Sequence, residues 1–521
     1  MRKASTLLVT LVGCVVGMPA LADTTPSQRR EIAPRYDQLK LRAQQRRGIP
    51  VLVRFKVVEP DGRSLAARKA AGRLRLNNAM ASENIRAFAE YPRSGLSAFF
   101  VDAAQLDKLI DSGFAARVRE SKLSRPYLQE SNLLIRTSAA RAFGLEGSGA
   151  VVVVLDTGID ADHPTFDDRV VWEACFSTNW SFYGATNLCP LGGTADATQY
   201  RQKGPGAAAL TKCTDVPCWH GTHVASIAAG SSATYPGIAP AAGVIPIQVF
   251  SRFDDEYDCG VGRAPCVLSF QHDQIAALEY VAELAATYNI AAVNMSLGGG
   301  SFSSACDALE DLYVPAIDDL ESLDIIVAAA SGNGYLSSSI GSPACLSKIV
   351  SVGSVDDTTD LVSAFSNGAA ILDLLAPGAP ITAAYPGSGY ATASGTSMAT
   401  PQAAGAIALM KGFDTALTYA QMKSLLVTTG TPVLDSRNGL TFPRVNLARL
   451  ALAVTGAVPG DANGDGEANI ADLLLFQRHV IGDFVLSPTG VLRSDLHPEQ
   501  DPDGTLDASD LVLLEQALQG D

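Results

Sequence analysis

The sequence predicts an α/β protein with a doubly covered, mainly parallel sheet, preceded by a small α+β unit and followed by a small all-α unit. Between residues 150 and 455, continuous apolar and β-branched runs alternate with helical stretches, a pattern typical of strands buried on both faces. The chain has 521 residues, 47% hydrophobic and 18% charged, which is more than one domain usually holds and enough for a large core. In such a sheet, functional residues are expected at the carboxyl ends of strands.

The first 22 residues have the layout of a secretory signal peptide. Arg2 and Lys3 precede the apolar run Leu7 to Val16, and Ala20 to Ala22 supply small residues for cleavage. The run is too short to span a membrane. A lipoprotein box ending at Cys14 is the less favoured alternative, because apolar sequence continues after it. We therefore expect residues 1–22 to be removed and the protein to be secreted, with transit through a periplasm left open.

Residues 23–127 predict a small basic α+β unit. They carry 21 Lys/Arg against 11 Asp/Glu, although the whole chain has a net charge of -15. The unit would therefore be attracted to the acidic remainder, and that acidity disfavours nucleic acid as a partner. The expected strands are Ile49 to Val58, Gly95 to Val101 and Ala116 to Glu120, and the expected helices are Ser64 to Glu90 and Ala104 to Ser112.

In the long middle region, the clearest strand predictions are Ala150 to Leu155, Ala291 to Leu297 and Asp324 to Ala330. Helices are expected at Gln274 to Tyr288 and Leu309 to Leu320.

Eight cysteines remain once the signal peptide is set aside, and all lie in the middle region. An even number in an exported chain predicts disulfides, whereas a zinc site would favour Cys-x-x-Cys pairs, which the sequence lacks. Eight cysteines allow 105 connectivities. We expect the close pairs Cys213–Cys218 and Cys259–Cys266 to be joined locally.

The triplet Asp156-Thr157-Gly158 follows a run of valines, which puts its carboxylate at the end of a buried strand. Such a carboxylate can orient a catalytic histidine, although Asp is also common before turns, where its role is only structural. An aspartic protease would need a second such carboxylate. The other Asp-Ser-Gly or Asp-Thr-Gly triplet, at Asp111, ends a helix of the basic unit and does not qualify.

A histidine motif and a serine motif follow the aspartate motif. His220 to Ala225 begins a small-residue helix and lacks the Glu of a metalloprotease His-Glu-x-x-His, so His220 is interpreted as a general base and His223 as structural. Ser397 lies where a loop becomes a helix, a position that favours developing negative charge. Ala399 occupies the last glycine position of a Gly-x-Ser-x-Gly elbow, which disfavours an α/β-hydrolase.

The order Asp, His, Ser is that of subtilisin, and the three motifs together resemble the signatures of subtilisin-like serine proteases, the S8 family. The resemblance covers roughly residues 49–450 and implies a serine endopeptidase with Asp156, His220 and Ser397 as its triad. It implies polypeptide substrates and no cofactor for the chemistry. It also implies an oxyanion-hole Asn333 and a substrate-binding edge made of Ser296, Leu297, Gly298, Ser331 and Gly332.

Together with the signal-peptide layout and the acidic tail, the resemblance divides the chain into a signal peptide at 1–22, an inhibitor-like propeptide at 23–127, a catalytic domain at 128–455 and a tail at 456–521. It implies removal of the propeptide by a cut near Tyr127-Leu128. Two departures are visible, namely a cysteine-bearing insertion between Asp156 and His220, and Gln402 where the family usually has histidine. The insertion leaves the substrate preference open.

The tail contains two acidic, glycine-bearing loops. Asp461 to Asp472 has oxygen-bearing side chains at positions 1, 3, 5, 9 and 12 and glycine at position 6, as a calcium loop requires. Aspartate at position 12 resembles a type I dockerin, which implies calcium and a cohesin-like protein partner, while a merely acidic tail is the alternative. The expected ligands are Asp461, Asn463, Asp465, Asn469 and Asp472 in the first loop, and Asp501, Asp503, Asp507 and Asp510 in the irregular second loop.

Two other functions are compatible with parts of the sequence. The chain could be an exported calcium-dependent binding protein whose protease-like domain is inactive, although the complete set of three motifs argues against that interpretation. A lipase or esterase is disfavoured by the sequence around Ser397. Neither nucleic acid nor, after signal removal, a membrane is an expected partner.

Overall fold

The computed structural model describes residues 26–57, 65–121, 123–126, 135–190, 199–213, 215–481, 484–496 and 506–519. The predicted signal peptide, the predicted cut after Tyr127 and the predicted ligands Asp501 and Asp503 lie outside the described residues. Within those ranges, no helix combines the length and the apolar character that crossing a membrane requires.

Residues 26–121 form an N-terminal unit whose antiparallel sheet has the strand order β2-β3-β1-β4. Its own core is built from apolar residues of the sheet and helices, among them Val51, Phe99 and Leu106. The elements are α1 (Pro26–Ile32), α2 (Tyr36–Gln45), β1 (Ile49–Phe55), α3 (Leu65–Ser82), β2 (Ala87–Tyr91), β3 (Leu96–Val101), α4 (Ala103–Asp111) and β4 (Ala115–Glu120), followed by a separate short strand, β5 (Leu123–Pro126).

The prediction of one helix from Ser64 to Glu90 was wrong. Helix α3 ends at Ser82, Asn84 turns the chain with a positive φ of 62°, and Ala87–Tyr91 pairs with β3 as a strand. Local composition favours a helix there, but pairing with β3 and burial of Tyr91 against the central unit decide the outcome.

Residues 135–455 form the central unit. Its helices are α5 (Thr137–Ala142), α6 (Trp219–Ala229), α7 (Glu256–Cys259), α8 (Gln271–Leu284), α9 (Val314–Glu321), α10 (Thr396–Phe413), α11 (Tyr419–Thr428) and α12 (Leu447–Thr455). Its strands are β6 (Val151–Asp156), β7 (Ala174–Thr178), β8 (Ala185–Asn187), β9 (Gln199–Lys203), β10 (Gly243–Gln248), β11 (Ser251–Phe253), β12 (Cys266–Phe270), β13 (Ile290–Met295), β14 (Leu297–Phe302), β15 (Ile326–Ala330), β16 (Ile340–Ser342), β17 (Val350–Asp356), β18 (Leu374–Ala379), β19 (Ile381–Tyr385), β20 (Gly389–Ala393), β21 (Thr431–Asp435) and β22 (Leu440–Arg444).

The large sheet of the central unit has the order β21-β22-β18-β17-β15-β13-β6-β10-β7-β9. Its inner pairs are parallel, and the outermost pair at each edge is antiparallel. Alternate residues of β6 face opposite layers: Val151, Val153 and Leu155 pack with α8, whereas Val152 and Val154 pack with α6 and α10. The doubly covered, mainly parallel sheet predicted from the apolar and β-branched runs is therefore present.

A second sheet lies beside the first, with the order β16-β14-β5-β12-β11-β8. Strand β5 is inserted between β12 and β14 and is antiparallel to both. The segment that joins the N-terminal unit to the central unit is therefore held as a strand of the central unit's own sheet. Strands β19 and β20 form a separate hairpin.

The eight cysteines are all joined within the central unit. The two local pairs expected from spacing, Cys213–Cys218 and Cys259–Cys266, are confirmed. The remaining two disulfides are Cys175–Cys189 and Cys306–Cys345.

The described part of the C-terminal unit, from residue 456 to residue 519, is helical. It contains α13 (Ile470–Val480), α14 (Pro488–Ser494) and α15 (Ala508–Gln519), which share a small core around Phe476 and Leu514. This unit contacts the central unit, because the Arg493 guanidinium lies 5.6 Å from the centre of the Phe143 ring.

Candidate active site

Asp156 and His220 meet at the carboxyl end of the large sheet. Asp156 is the last residue of β6, and His220 is the second residue of α6. Both side chains are buried, and His220 Nδ1 lies 2.7 Å from Asp156 Oδ1. Because a carboxylate can only accept, Nδ1–H is the donor, which leaves Nε2 of a neutral ring as an acceptor. The arrangement can hold an imidazole ready to take a proton.

The residues that follow Asp156 fit against the start of α6. The Thr157 hydroxyl donates to the carbonyl oxygen of Cys218 at 2.9 Å and accepts from the backbone N–H of Gly221 at 2.9 Å. A side chain at position 221 would bring a Cβ atom to 2.0 Å from the carbonyl oxygen of Gly158. Gly221 is thus needed because α6 and the segment after β6 approach each other closely. At Gly158, whose φ is 97°, a Cβ would lie 2.5 Å from the carbonyl oxygen of Ala208.

Ser397 is the second residue of α10 and is fully buried. Its hydroxyl donates to the carbonyl oxygen of Ser296 at 3.0 Å, and the Ser296 hydroxyl donates back to the carbonyl oxygen of Ser397 at 2.7 Å. Helix α10 packs closely on α6, since a Cβ at Gly405 would meet the carbonyl oxygen of Ala228 at 2.9 Å. Hydrogen bonds therefore join Asp156 to His220 and Ser397 to Ser296. His220 and Ser397 lie on α6 and α10, two helices that contact each other.

Asn333 lies next to Ser397. Its side-chain oxygen Oδ1 accepts from both the backbone N–H and the hydroxyl of Thr396, each at 3.0 Å. These two bonds assign the orientation of the amide, so that Nδ2 is directed away from Thr396 as a donor. An amide donor beside a helix-start serine can stabilise negative charge that develops on a neighbouring carbonyl oxygen.

The predicted substrate-binding edge is occupied by a strand of the chain itself. In the register of β5 against β14, Pro126 lies opposite Leu297 and Arg125 lies opposite Gly298. On its other side, β5 places Ser124 opposite Ser269 of β12. An extended polypeptide thus gains backbone hydrogen bonds on both sides, and its carboxyl-terminal direction leads toward Ser296 and Ser397.

Ser331 and Gly332 connect β15 to Asn333. The Ser331 hydroxyl donates to the carbonyl oxygen of Asn367 at 2.8 Å, and the Gly332 N–H donates to the Thr396 hydroxyl at 3.2 Å. These bonds hold the Asn333 loop against the start of α10.

His223 is buried one helical turn after His220. Burial lowers its pKa to about 4, and its Nε2 lies 3.0 Å from the carbonyl oxygen of Ala391. A neutral ring that donates to the β20 backbone agrees with the structural role expected from the sequence. Gln402, the departure noted in α10, is also buried and donates to the carbonyl oxygen of Pro377 at 2.5 Å, which attaches α10 to β18.

Sequence reasoning missed the two threonines that orient this site. Thr157 links the aspartate motif to the histidine motif, and Thr396 orients Asn333. Each threonine is adjacent to a predicted functional residue, Thr157 to Asp156 and Thr396 to Ser397, and that adjacency was the available signal.

The first acidic loop of the C-terminal unit folds around two buried carboxylates. Asp461 Oδ1 accepts from the backbone N–H of Gly464 at 2.6 Å, and Asp472 Oδ1 accepts from that of Asn463 at 3.0 Å. Asp465 and Asn469 also belong to this loop, where Asp472 Oδ2 accepts from the Asn469 N–H. Within the described ranges, no group of three or more His, Cys, Asp or Glu side chains is arranged to hold a metal ion.

The second acidic loop is described only at its end. Asp510 is buried and accepts from the backbone N–H of Leu496 at 2.7 Å and from that of Asp507 at 2.9 Å. Burying carboxylates costs free energy unless they are paired, and backbone N–H groups supply the donors to Asp461, Asp472 and Asp510.

The central unit therefore has a buried carboxylate–imidazole pair, a serine at a helix start and an edge that holds extended polypeptide. Such a site belongs to the class of serine hydrolases that act on peptide bonds. A family model described as the subtilase family, Peptidase_S8, matches residues 147–446. The chain belongs to the subtilase family, and it is a serine-type endopeptidase.

Two subtilisins agree with this assignment. Subtilisin E of Bacillus subtilis (strain 168) is 30% identical over 339 residues, which cover 64% of this chain and 74% of that protein. Subtilisin DY of Bacillus licheniformis is 31% identical over 309 residues, which cover 58% of this chain and 91% of that protein. Among solved structures, a cold adapted subtilisin-like serine proteinase is 27% identical, with a TM-score of 0.41, and the match covers 58% of this chain and 89% of that one.

Proposed function

We propose that this subtilase is secreted as a precursor, cuts off its own N-terminal unit, and carries a C-terminal unit that binds calcium and anchors the enzyme to a cohesin-like protein. One observation supports the self-processing most directly. The chain leaving the N-terminal unit is bound as β5 in the polypeptide-binding edge, with its carboxyl-terminal end nearest Ser296.

The proposed mechanism assigns a role to each residue of the site. Asp156 orients His220 and stabilises its imidazolium, and His220 takes the proton from Ser397 as the serine attacks the peptide carbonyl. The Asn333 amide and the Ser397 backbone N–H bind the oxyanion of the tetrahedral intermediate. His220 then protonates the leaving amine, and water hydrolyses the acyl-enzyme.

The proposed cut follows Tyr127, one residue beyond the end of β5. Since Pro126 lies opposite Leu297, and the preceding residue Ser296 contacts Ser397 through its carbonyl oxygen, the strand is aimed at the nucleophile. Amino-terminal sequencing of the secreted protein is expected to find Leu128 as the first residue. The Ser397→Ala variant should keep the N-terminal unit attached, and a start more than a few residues from 128 in the active protein would contradict the proposal.

After the cut, the N-terminal unit is expected to stay bound as an inhibitor, because its contacts with the central unit are polar and specific. Arg46 forms a bidentate pair with Asp258 at 2.9 and 3.0 Å, and Arg119 Nε lies 2.6 Å from Asp311 Oδ1. Both pairs are largely removed from solvent. Charge complementarity of this kind agrees with the basic N-terminal unit and the acidic remainder of the sequence.

Calcium is proposed to bind the first loop through Asp461, Asn463, Asp465, Asn469 and Asp472. The buried carboxylates of Asp461 and Asp472 support this, because a divalent cation would neutralise them. The second site would use Asp507 and Asp510 together with Asp501 and Asp503, which lie outside the described residues.

Calorimetry of the full chain with calcium tests the proposed loop. Asp461→Asn should abolish the heat of one site, since it removes a ligand charge that the loop cannot replace. Glu467→Gln removes a carboxylate from the same loop, but at an exposed position outside the side-chain ligand set, and it should bind calcium as the unaltered protein does. If the unaltered chain gives no calcium-dependent heat, the anchoring proposal fails.

A further inference from the structure

His272 is a buried histidine at the boundary between the N-terminal unit and the central unit. It is the second residue of α8 and has no solvent exposure. Its Nδ1 lies 2.6 Å from the hydroxyl of Ser121, which belongs to the N-terminal unit. Its Nε2 lies 2.7 Å from the hydroxyl of Thr178, at the end of β7 in the central unit. The ring therefore bridges the two units.

Aromatic side chains from both units cover the ring. Phe270 of the central unit stacks on it, with ring centres 5.1 Å apart. Phe88 of β2, in the N-terminal unit, packs against it edge-on at 5.3 Å. Because Ser121 and Phe88 both belong to the N-terminal unit, departure of that unit uncovers the imidazole and its Nδ1 atom.

The hydrogen bonds around His272 fit a neutral ring. Thr178 donates its hydroxyl proton to Asp273 Oδ1 at 3.2 Å, so its oxygen accepts from His272 Nε2–H. Nδ1 is then an acceptor and receives the hydroxyl proton of Ser121, whose oxygen in turn accepts the His272 backbone N–H at 3.1 Å. A proton on Nδ1 would displace the Ser121 proton from this chain of bonds. Burial lowers the pKa of His272 to about 3.

Charged groups near the ring do not reverse this preference. In the described part of the chain, Asp273 Oδ1 lies 3.8 Å from Nε2 and would favour a protonated ring, whereas the positive charge of Arg201 on β9 opposes it. Glu279, further along α8, accepts from the Ser94 backbone N–H at 2.7 Å at the same boundary, and burial raises the pKa of its carboxyl. Its titration therefore has the opposite sign, because taking up a proton is easier for Glu279 when the units are docked.

We propose that His272 is an acid-sensitive lock that keeps the N-terminal unit docked while its ring is neutral and releases the unit when the ring takes a proton. The inference rests on the proposed role of residues 23–127 as a removable segment. The docked state excludes the proton, while the open state exposes a histidine with an ordinary pKa of about 6.5. As the pH falls below that value, protonation stabilises the open state, so lowering the pH from 7 to 5 should increase opening by about 20-fold.

Hydrogen exchange on the full-length Ser397→Ala protein tests this lock without requiring any cleavage. The readout is the protection of the Ser94 and His272 backbone N–H groups, whose hydrogen bonds cross the boundary, between pH 7 and pH 5, corrected for the intrinsic effect of pH on exchange, with β6 of the central unit as an internal reference. In the Ser397→Ala protein, opening should increase by about 20-fold across this range. In Ser397→Ala combined with His272→Gln, whose amide can make both side-chain bonds but does not titrate, the increase should be less than about threefold.

Arg93→Ala provides a matched control at the same boundary. Arg93 pairs with Asp319 at 2.9 Å, and this pair contains no histidine. This variant should raise opening at every pH and keep the pH dependence. A His272→Gln protein with the full dependence, or a Ser397→Ala protein with none, would overturn the proposal.

Loss of protection at β6 would reveal that the His272→Gln protein does not fold. In that case the pH profile of the Ser397→Ala protein decides whether His272 is the group that controls opening. Titration of an exposed histidine places the inflection near pH 6.5, whereas carboxylates place it below about pH 5. An inflection confined to the carboxylate range would count against His272. Because the catalytic serine is absent throughout, these outcomes are independent of whether the protein processes itself.

Discussion

At the scale of single residues, the site depends on side chains that orient other side chains. Thr396 accounts for the orientation of the Asn333 amide, and Thr157 ties the strand that carries Asp156 to the helix that carries His220. The sequence was enough to propose the functional residues, because their types, order and motifs limit the chemistry they can perform, and the structure brings Asp156 and His220 together. The orienting hydrogen bonds could not be predicted, since they depend on which backbone groups lie within about 3 Å after folding.

Replacing Asn333 with alanine should slow catalysis far more than it weakens substrate binding. The amide would stabilise the oxyanion of the transition state, so kcat should fall by about 10²–10³, as when a subtilisin loses this donor, with KM little changed. Steady-state kinetics on a peptide substrate measures both constants. Asn438→Ala also removes an amide donor, one that bonds the Ser337 carbonyl, and it should leave kcat unchanged. Equal losses in the two variants would remove Asn333 from the proposed mechanism.

At the scale of helices and strands, the buried parallel sheet was the most predictable feature. The apolar runs became β6, β13 and β15, which are neighbours in the sheet, because a strand covered on both faces is mostly apolar. Helix limits were less predictable. The expected helix from Leu309 starts only at Val314, where Pro315 occupies the first turn and a proline suits a helix start.

Strand β5 could not be foreseen from local sequence. It is four residues long, and its conformation comes from pairing with β12 and β14, which lie far away in the chain. Its insertion nevertheless shows how the edge holds extended polypeptide, since each strand pair contributes backbone hydrogen bonds that do not depend on the side chains of the bound segment.

Substrate length should consequently control the rate. Peptides that extend four residues before the cut can pair with both β12 and β14, whereas peptides with one residue there cannot. With about 1 kcal/mol for each backbone hydrogen bond, kcat/KM should rise about 10- to 100-fold on extension. A series of fluorogenic peptides of increasing length, with the residues around the cut unchanged, measures this dependence. A flat series would show that pairing with β14 contributes nothing to turnover.

At the scale of the whole molecule, the N-terminal unit docks through contacts of unequal strength. Asp311 of the central unit receives three arginines of the N-terminal unit, Arg54, Arg117 and Arg119, and its side chain is 14% exposed. The pair between Arg93 and Asp319 is more open, with side chains 39% and 37% exposed. The opposite net charges of the two units predicted that they attract each other. Which carboxylate forms ion pairs with the arginines is determined only by the folded surfaces.

Removing the Asp311 charge should therefore shorten the latent period of the secreted enzyme more than removing the Asp319 charge. Asp311→Asn leaves three arginines at a partly buried boundary without their shared carboxylate, and such unpaired charges are costly. Asp319→Asn removes an exposed pair whose contribution is about 0–1 kcal/mol.

The time course of activity after purification, followed at constant pH and salt with a peptide substrate, should show release at least about tenfold faster for Asp311→Asn but within about fivefold of the unaltered protein for Asp319→Asn. High salt should reduce the difference in activation rate between the variants. Ions screen the exposed pair of Arg93 and Asp319, and they also screen the attraction that brings the arginines to Asp311. If both variants activate like the unaltered protein, the arginine cluster on Asp311 does not hold the N-terminal unit in place.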